Sequence, residues 1–423
     1  MNPPPTTPSA HPPRFVALHH RNFSVLWSGL LVSNVGTMMQ NVANLWVIWQ
    51  FTHSPLWLGY VGLSFAIPMS IFPLFSGTIV DRVHRVRLLY ITQTTSMIIA
   101  FVLAGLYWAG LLNAWVILVA TFLGSLVLAF DNPARQALIP ELVPREHLLN
   151  ALSLMSASYN GAALVGPAIA GALLPSVGAG WLFALNGVSF LAVIFALTLL
   201  RGVASHSGHQ HASVWESLKI GFAFAWRSRL VRALLLLSAA VAVFGRSYQN
   251  LLPNFAHLWG GGSLAYGLLL ASAGGGALVG AFGLAARREV HGRRAIMVGS
   301  GLVFSASLVA FALSPWLWLG VVLQFVAGVS STVFGAIAGT FIQIETPAQL
   351  RGRVMSFYSI TLIGLPSLGV LGVGALAEWL GGAQGTPRAV LYGALALAAI
   401  LLLTAPTMLR AHVDEPGIAR EPR

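Results

Sequence analysis

The sequence predicts an all-α integral membrane protein: twelve transmembrane helices in two six-helix bundles, with both termini in the cytoplasm. Three observations predict it. The 423 residues are 57% hydrophobic and only 8% charged, with a mean hydropathy of +0.78, whereas a soluble domain carries about a quarter charged residues. The chain therefore lacks the side chains that would cover a water-facing surface. Apolar runs recur along it, twelve in all, most of them near the roughly 20 residues that a helix needs to cross the hydrocarbon of a bilayer. Lys and Arg fall almost entirely in every second connection between these runs, as they do in cytoplasmic loops.

The stretch 1–21 opens MNPPPTTPSAHPPR. It is rich in Pro and polar residues and has no apolar run, so it reads as a disordered tail and not as a cleaved signal peptide. The apolar runs follow at about 22–51, 56–80, 88–109, 114–131, 148–174, 180–200, 231–255, 264–286, 295–313, 316–341, 354–378 and 387–409. They lack the two-residue alternation of a membrane barrel, and open strands cannot satisfy their backbone in lipid, which leaves helices. The first six runs make one bundle, 22–200. The polar connection 201–230, which includes HSGHQHASVWESLK, reads as a cytoplasmic linker. The last six runs make the second bundle, 231–410, and 411–423 reads as a disordered C-terminal tail.

Of the 23 Lys and Arg, 21 lie in the two tails and in the connections after the second, fourth, sixth, eighth and tenth runs. Arg388 sits in an opposite-side connection and Arg246 inside the seventh run. One missed or invented helix would invert every later loop and spoil this alternation. A pI near 11.1 also raises nucleic-acid binding, but the basic residues stand between apolar runs, so topology accounts for them and no nucleic acid is expected. Trp57, Trp115, Trp181 and Trp316 fall where interfacial anchors belong.

The absence of cysteine excludes disulfides, thiolate metal sites, iron–sulfur clusters and Cys nucleophiles. His206, His209 and His211 cluster in the linker without a Cys or acid beside them, so no metal site and no resident cofactor are expected. There is no Walker motif, HExxH or GxSxG, so neither direct use of ATP nor an enzyme is expected. A membrane sensor would carry a sizeable soluble domain, and the longest connection is the linker.

The two halves echo each other. Pro144 is followed by Asn150-Ala-Leu-Ser153, and Pro347 by Arg353-Val-Met-Ser356. Gly77-x-x-x-Asp81-Arg82 has a counterpart in Gly283-x-x-x-Arg287-Arg288. Parallel six-helix repeats are one architecture of secondary transporters. At these residues the chain resembles the major facilitator superfamily. Gly77-x-x-x-Asp81-Arg82-x-x-Arg85 is similar to the signature that family carries between its second and third helices, at the cytoplasmic gate. Asn132-Pro-Ala-Arg135, Pro140-Glu-Leu-Val-Pro144 and Pro347-x-x-x-Arg351-Gly-Arg353 resemble its drug, macrolide and siderophore exporters. Gly161, Gly166-Pro167 and Gly171 resemble the fifth-helix motif of antiporters. The resemblance spans about residues 21–410. The chain departs from the pattern at His84, where the gate motif has a small Gly, at Arg287, where the first copy has Asp81, and in lacking an Arg deep in the fourth helix.

The resemblance implies that Gly77, Asp81, Arg82 and Arg85 form a gate motif, with Asp81 meeting the other half when the inner side is closed. Asp131 and Arg135, one turn apart, read either as a coupling or second gate pair or as a local ion pair at a helix end; Glu141, Glu345, Arg351 and Arg353 join the gating candidates. Asn34, Thr37, Asn41 and Asn44 share one face of the first helix with Gln40 beside it. Amides facing lipid would be left unbonded, so this face points inward, to a cavity or to neighbouring helices. Arg246, with Gln249 and Asn250 a turn later, either lines the cavity for an anionic group, replaces a proton site, or snorkels to the surface. The expected protein is a monomeric multi-pass transporter of the bacterial inner membrane. It exports amphipathic small molecules, drugs among them, by alternating access, and a proton gradient drives it as an antiporter. A siderophore or lysophospholipid transporter of the same fold is the alternative.

Overall fold

The computed structural model describes residues 15–72, 83–201, 214–286 and 292–410. Among the described residues the chain is helical throughout, with no strand. The first half contains α1 (Arg21–Thr52), α2 (Pro55–Ile71), α3 (Arg85–Trp108), α4 (Ala114–Leu142), α5 (Leu148–Val177) and α6 (Ala179–Thr198). The connection to the second half holds α7 (Val214–Arg227). The second half contains α8 (Arg229–Leu258), α9 (Gly262–Ala285), α10 (Arg293–Leu313), α11 (Leu317–Glu345), α12 (Arg351–Trp379) and α13 (Thr386–Arg410).

Ten of these segments are long and apolar enough to cross a membrane, and α2 is a shorter apolar helix as described. The chain is therefore a multi-pass membrane protein. With 32 residues, α1 is long enough, but the amides of Asn34, Gln40, Asn41 and Asn44 lower its hydropathy, and it is not among the ten.

The sequence reading ends the fourth span at 131, whereas α4 runs on to Leu142. The helix can continue through Asp131 because donors on α3 and α4 meet its buried carboxylate. The linker also proves partly ordered. It holds α7, and Gly221 lets that helix lie against Arg353 and Phe357 of α12. Two long segments are irregular. Helix α8 passes from α-helix (Arg229–Ala240) through a π-turn (Val241–Arg246) and a 3-10 turn (Ser247–Leu251) back to α-helix (Leu252–Leu258). Helix α12 breaks at Gly364, just before Pro366.

The packing separates the two ends of the molecule. At the end carrying Arg21, the first half has a core of its own, built from Phe23, Leu26, Leu89, Leu138, Ala151, Val193 and their neighbours. A second core is continuous through both halves and includes Trp49, Leu58, Leu174 and Phe183 from the first and Tyr248, Phe255 and Tyr266 from the second. The halves meet along two helix pairs, α5 with α9 and α2 with α12. Both seams rest on close backbone approach. A β-carbon at Gly171 would stand 2.7 Å from the Cα of Gly267, and one at Gly374 would stand 2.7 Å from the carbonyl oxygen of Pro55. Among the described residues the two halves touch from the turn between α1 and α2 down to Ser70 against Gly364, and the space left between them toward the end that bears Arg21 and α7 forms a cleft.

The fold predicts a pattern of chemical labelling. Single cysteines at His257 and Ala383, in a chain with none of its own, react with an impermeant thiol reagent from one face of the membrane. One at Lys219 reacts from the opposite face. Labelling of all three from one face contradicts the arrangement.

Candidate functional site

Three helices, α1, α5 and α8, carry polar side chains within their spans. On α1 the amides divide their work. Asn34 Nδ2 donates to Ser158 Oγ on α5 at 3.3 Å, and Asn186 Nδ2 on α6 donates to Gln40 Oε1 at 2.7 Å. These two residues tie α1 to its own half. Thr37 is half-buried, Asn41 is exposed, and Asn44 is buried with its Oδ1 unpartnered. The face read from the sequence as one unit is thus partly helix-to-helix bonding and partly open surface.

The irregular segment of α8 sets the second wall. A π-turn holds an extra residue and shifts the side chains that follow it around the axis. Here it lets Val243 pack directly on Gly369 of α12, while Gly245 leaves room for Phe304 of α10. Tyr248 is turned into the half, where its hydroxyl donates to Gln324 Oε1 at 2.6 Å. Arg246, at the end of the π-turn, is exposed. Its charge reaches Tyr248 and Tyr358 of its own half and Tyr159 of α5 in the other. Gln249 and Asn250 are half-buried a turn farther on, with the Asn250 amide against Gly62 of α2.

The closed end carries contacts that the sequence reading missed. Ser54 Oγ donates to Glu378 Oε2 at 2.7 Å, joining the two halves. His53 of the first half stacks on His257 of the second at 6.0 Å, with Trp49 against both. Trp46 stacks on Tyr266 at 6.3 Å. No spacing rule could pair these residues, because each pair joins segments roughly 200 or more positions apart. Tyr159 was equally silent; an exposed Tyr in an apolar run carries no pattern of its own.

The charged candidates gather at the end that bears Arg21, and the contacts described for them lie within each half or with α7. Arg85 pairs with Glu141 and donates to the carbonyl of Ala137 at 3.2 Å, so it ties α3 to α4. Asp131 is buried and uses both oxygens. Oδ2 accepts from Thr92 Oγ1 and Gln93 Nε2, each at 2.7 Å, and Oδ1 accepts from Arg135 one turn along. Arg351 Nε donates to the carbonyl of Gln343 at 3.0 Å, Arg353 packs on Gly221, and Glu345 is half-buried at the end of α11. Gly77, Asp81 and Arg82 lie outside the described residues. Of the fifth-helix residues, Gly166 packs on Val35 and Met38 of α1. Pro167 and Gly171 meet α9 at Gly267, and nothing crowds Gly161.

A helical membrane protein built as two halves that meet along two helix pairs has the architecture of secondary transporters. The comparisons make the class specific: the sequence model of the transmembrane secretion effectors, within the major facilitator superfamily, matches residues 13–421, and the chain belongs to that family. It is 27% identical over 365 residues to the multidrug efflux pump Tap of Mycolicibacterium fortuitum, covering 83% of this chain and 88% of that protein. It is also 27% identical over 412 residues to the enterobactin exporter EntS of Shigella boydii serotype 4, covering 94% and 95%. Among solved structures, the nucleoside transporter NupG aligns with a TM-score of 0.74 at 13% identity over 92% of this chain and 100% of that one. A bacterial homologue of the human lysosomal transporter Spinster, inward-facing and occupied, aligns at 0.70 and 17% identity over 94% and 99%. At these identities the two structures speak for the fold alone. The chain is a transporter of this fold and not an enzyme.

Two expectations follow. Cysteines replacing Ser54 and Glu378 are joined by a short bifunctional thiol reagent, and the joined protein no longer transports. Asp131→Asn lowers the melting temperature of the purified protein by removing the partner of a half-buried guanidinium. Arg135→Gln then costs less in the Asp131→Asn background than in the wild type, with a coupling of about 1 kcal/mol or more.

Proposed function

We propose that the protein is a secondary active exporter of amphipathic small molecules, working by alternating access in a bacterial inner membrane. The observation that carries this reading is the asymmetry of the two ends. The first half contributes its outer residues to a core that runs through both halves, with bare-backbone seams beside it, whereas at the other end it closes a core of its own with no contact to the second half described there. Rocking the halves about the cleft would exchange the closed end for the open one, as expected of two rigid bundles. The basic residues cluster at the open end, so the positive-inside rule makes that end cytoplasmic, with twelve spans and both termini inside. The open cleft then faces the cell interior, as an exporter waiting for cargo requires. Residues 22–200 and 231–410 act as the two moving bodies, with 201–230 as their link.

The gate motif around Gly77, Asp81, Arg82 and Arg85 lies at the cytoplasmic mouth in this reading, where Arg351 and Arg353 stand on the opposite half. Closing the mouth would bring these charges within range of one another, and contacts formed in one state only bias the equilibrium. Asp131, with both oxygens bonded, serves better as a brace for α3 and α4 than as a proton carrier. Proton entry is proposed as the driving force, with drugs as cargo. A siderophore as cargo is the second reading, supported by similarity to the enterobactin exporter and to a staphyloferrin A transporter of Staphylococcus aureus, 27% identical over 221 residues. The protein acts as a monomer in this scheme.

Inverted vesicles carrying the protein should accumulate a fluorescent drug when an inward-acid proton gradient is imposed, and lose the accumulation when a protonophore is added. Accumulation indifferent to the gradient removes the antiport; none with any cargo removes export.

A further inference from the structure

We infer that Arg246 is the anchor of an anion subsite, and that the cargo carries a carboxylate-like group beside an apolar ring. This rests on the export reading and gives the cargo a charge.

The position of the side chain carries the argument. Arg246 lies 12 residues from the end of α8 at Leu258, or about 18 Å along the helix, so it stands deep within the span and not at its rim. Asn250, one turn farther on, packs its amide against Gly62 of α2, so this stretch of α8 borders the other half. The side chain is exposed there, and its charge reaches Tyr159 of the first half as well as Tyr248 and Tyr358 of its own. Val243, one turn earlier, packs on Gly369, so Arg246 stands level with the α2–α12 seam that runs from Gly374 against Pro55 to Gly364 against Ser70.

This cation has no ion-pair partner among the described residues. Asp131 and Glu141 are taken by Arg135 and Arg85, Glu146 faces His147, Glu378 is bonded to Ser54 at the closed end, and Glu345 stands at the far end of α11 with no ion pair to Arg246. A guanidinium stays charged at every physiological pH. While the cleft is open, water solvates it. When the cleft closes around it during transport, that water must leave or be replaced, and a bare buried charge is costly. A bound anion removes the penalty. The subsite therefore holds the cargo and also favours crossing of the loaded carrier over the empty one. The fork of donors on Arg matches the two oxygens of a carboxylate. Tyr159, with 56% of its surface exposed, offers a ring face beside it for a flat apolar body.

The test uses the full chain in lipid nanodiscs and three probes of one shape: naphthoate, naphthamide and naphthylmethylammonium. Naphthoate is expected to bind about tenfold or more tightly than the amide, as a charge-assisted contact warrants, and the ammonium more weakly still. Arg246→Gln abolishes the preference, and Arg246→Lys keeps part of it by retaining the charge without the fork. Equal binding of naphthoate and naphthamide to the wild type overturns the inference. So does an unchanged preference in Arg246→Gln, with the melting temperature of each variant confirming that it is folded. Uptake by inverted vesicles is read separately. Naphthoate that binds through Arg246 but is never taken up strikes the export reading alone; uptake that ignores probe charge strikes the anion subsite alone.

Discussion

The architecture depends on how closely two backbones approach across the closed end. Gly171 against Gly267 and Gly374 against Pro55 bring helices of opposite halves together with no side chain between them. In lipid there is little hydrophobic gain from pressing apolar helices together, so close van der Waals packing must supply the association. Such seams are well suited to a moving part. They fix the closed geometry through many small contacts, and no single strong bond has to be broken for them to part. The one polar bridge described there, Ser54 to Glu378, joins a neutral hydroxyl to an exposed carboxylate and is weak enough to exchange for water.

Strong electrostatics lie elsewhere and do the opposite job. Arg85 with Glu141, and Asp131 with Thr92, Gln93 and Arg135, join α3 to α4 inside the first half. The amide bonds of Asn34 and Gln40 likewise hold α1 to α5 and α6. Directional, partly buried contacts make each half rigid, whereas the contact between halves is mostly non-directional, with Ser54 to Glu378 the one hydrogen bond described across it. Rigid halves with a yielding seam let a small change at the cleft move whole bundles in place of distorting them.

Much of this was legible in the sequence, and what was not has physical reasons. Spans were readable because lipid forces every backbone polar group into a helix, which leaves long apolar runs. The continuation of α4 through Asp131 was hidden because a charge normally ends a span, and the donors that satisfy it sit some forty residues away on α3. Helix α7 read only as linker, although Trp215, Leu218, Phe222 and Trp226 repeat at helical spacing. On α1 the sequence gathers Asn34, Thr37, Asn41 and Asn44 on one face, but it has no means of separating an amide that bonds a neighbour from one that meets water. The contacts of His53, His257 and Glu378 arise only from tertiary packing.

Arg246 shows the same limit from the other side. Its place inside an apolar run was plain, and its three readings followed from charge and depth alone. The π-turn is a feature that none of the three readings contained. A regular helix from Arg229 would keep the 3.6-residue register through residue 246. The inserted residue breaks that register after Ala240, so Val243 packs on Gly369 and Gly245 on Phe304 while Arg246 is left exposed. Close packing at Gly369 and Phe304 holds the distortion in place, and those glycine and aromatic contacts come from α12 and α10. The exposure of one cation in the seventh span is thus set by shape on two other helices, which is why local sequence around Arg246 raises the question without the means to answer it.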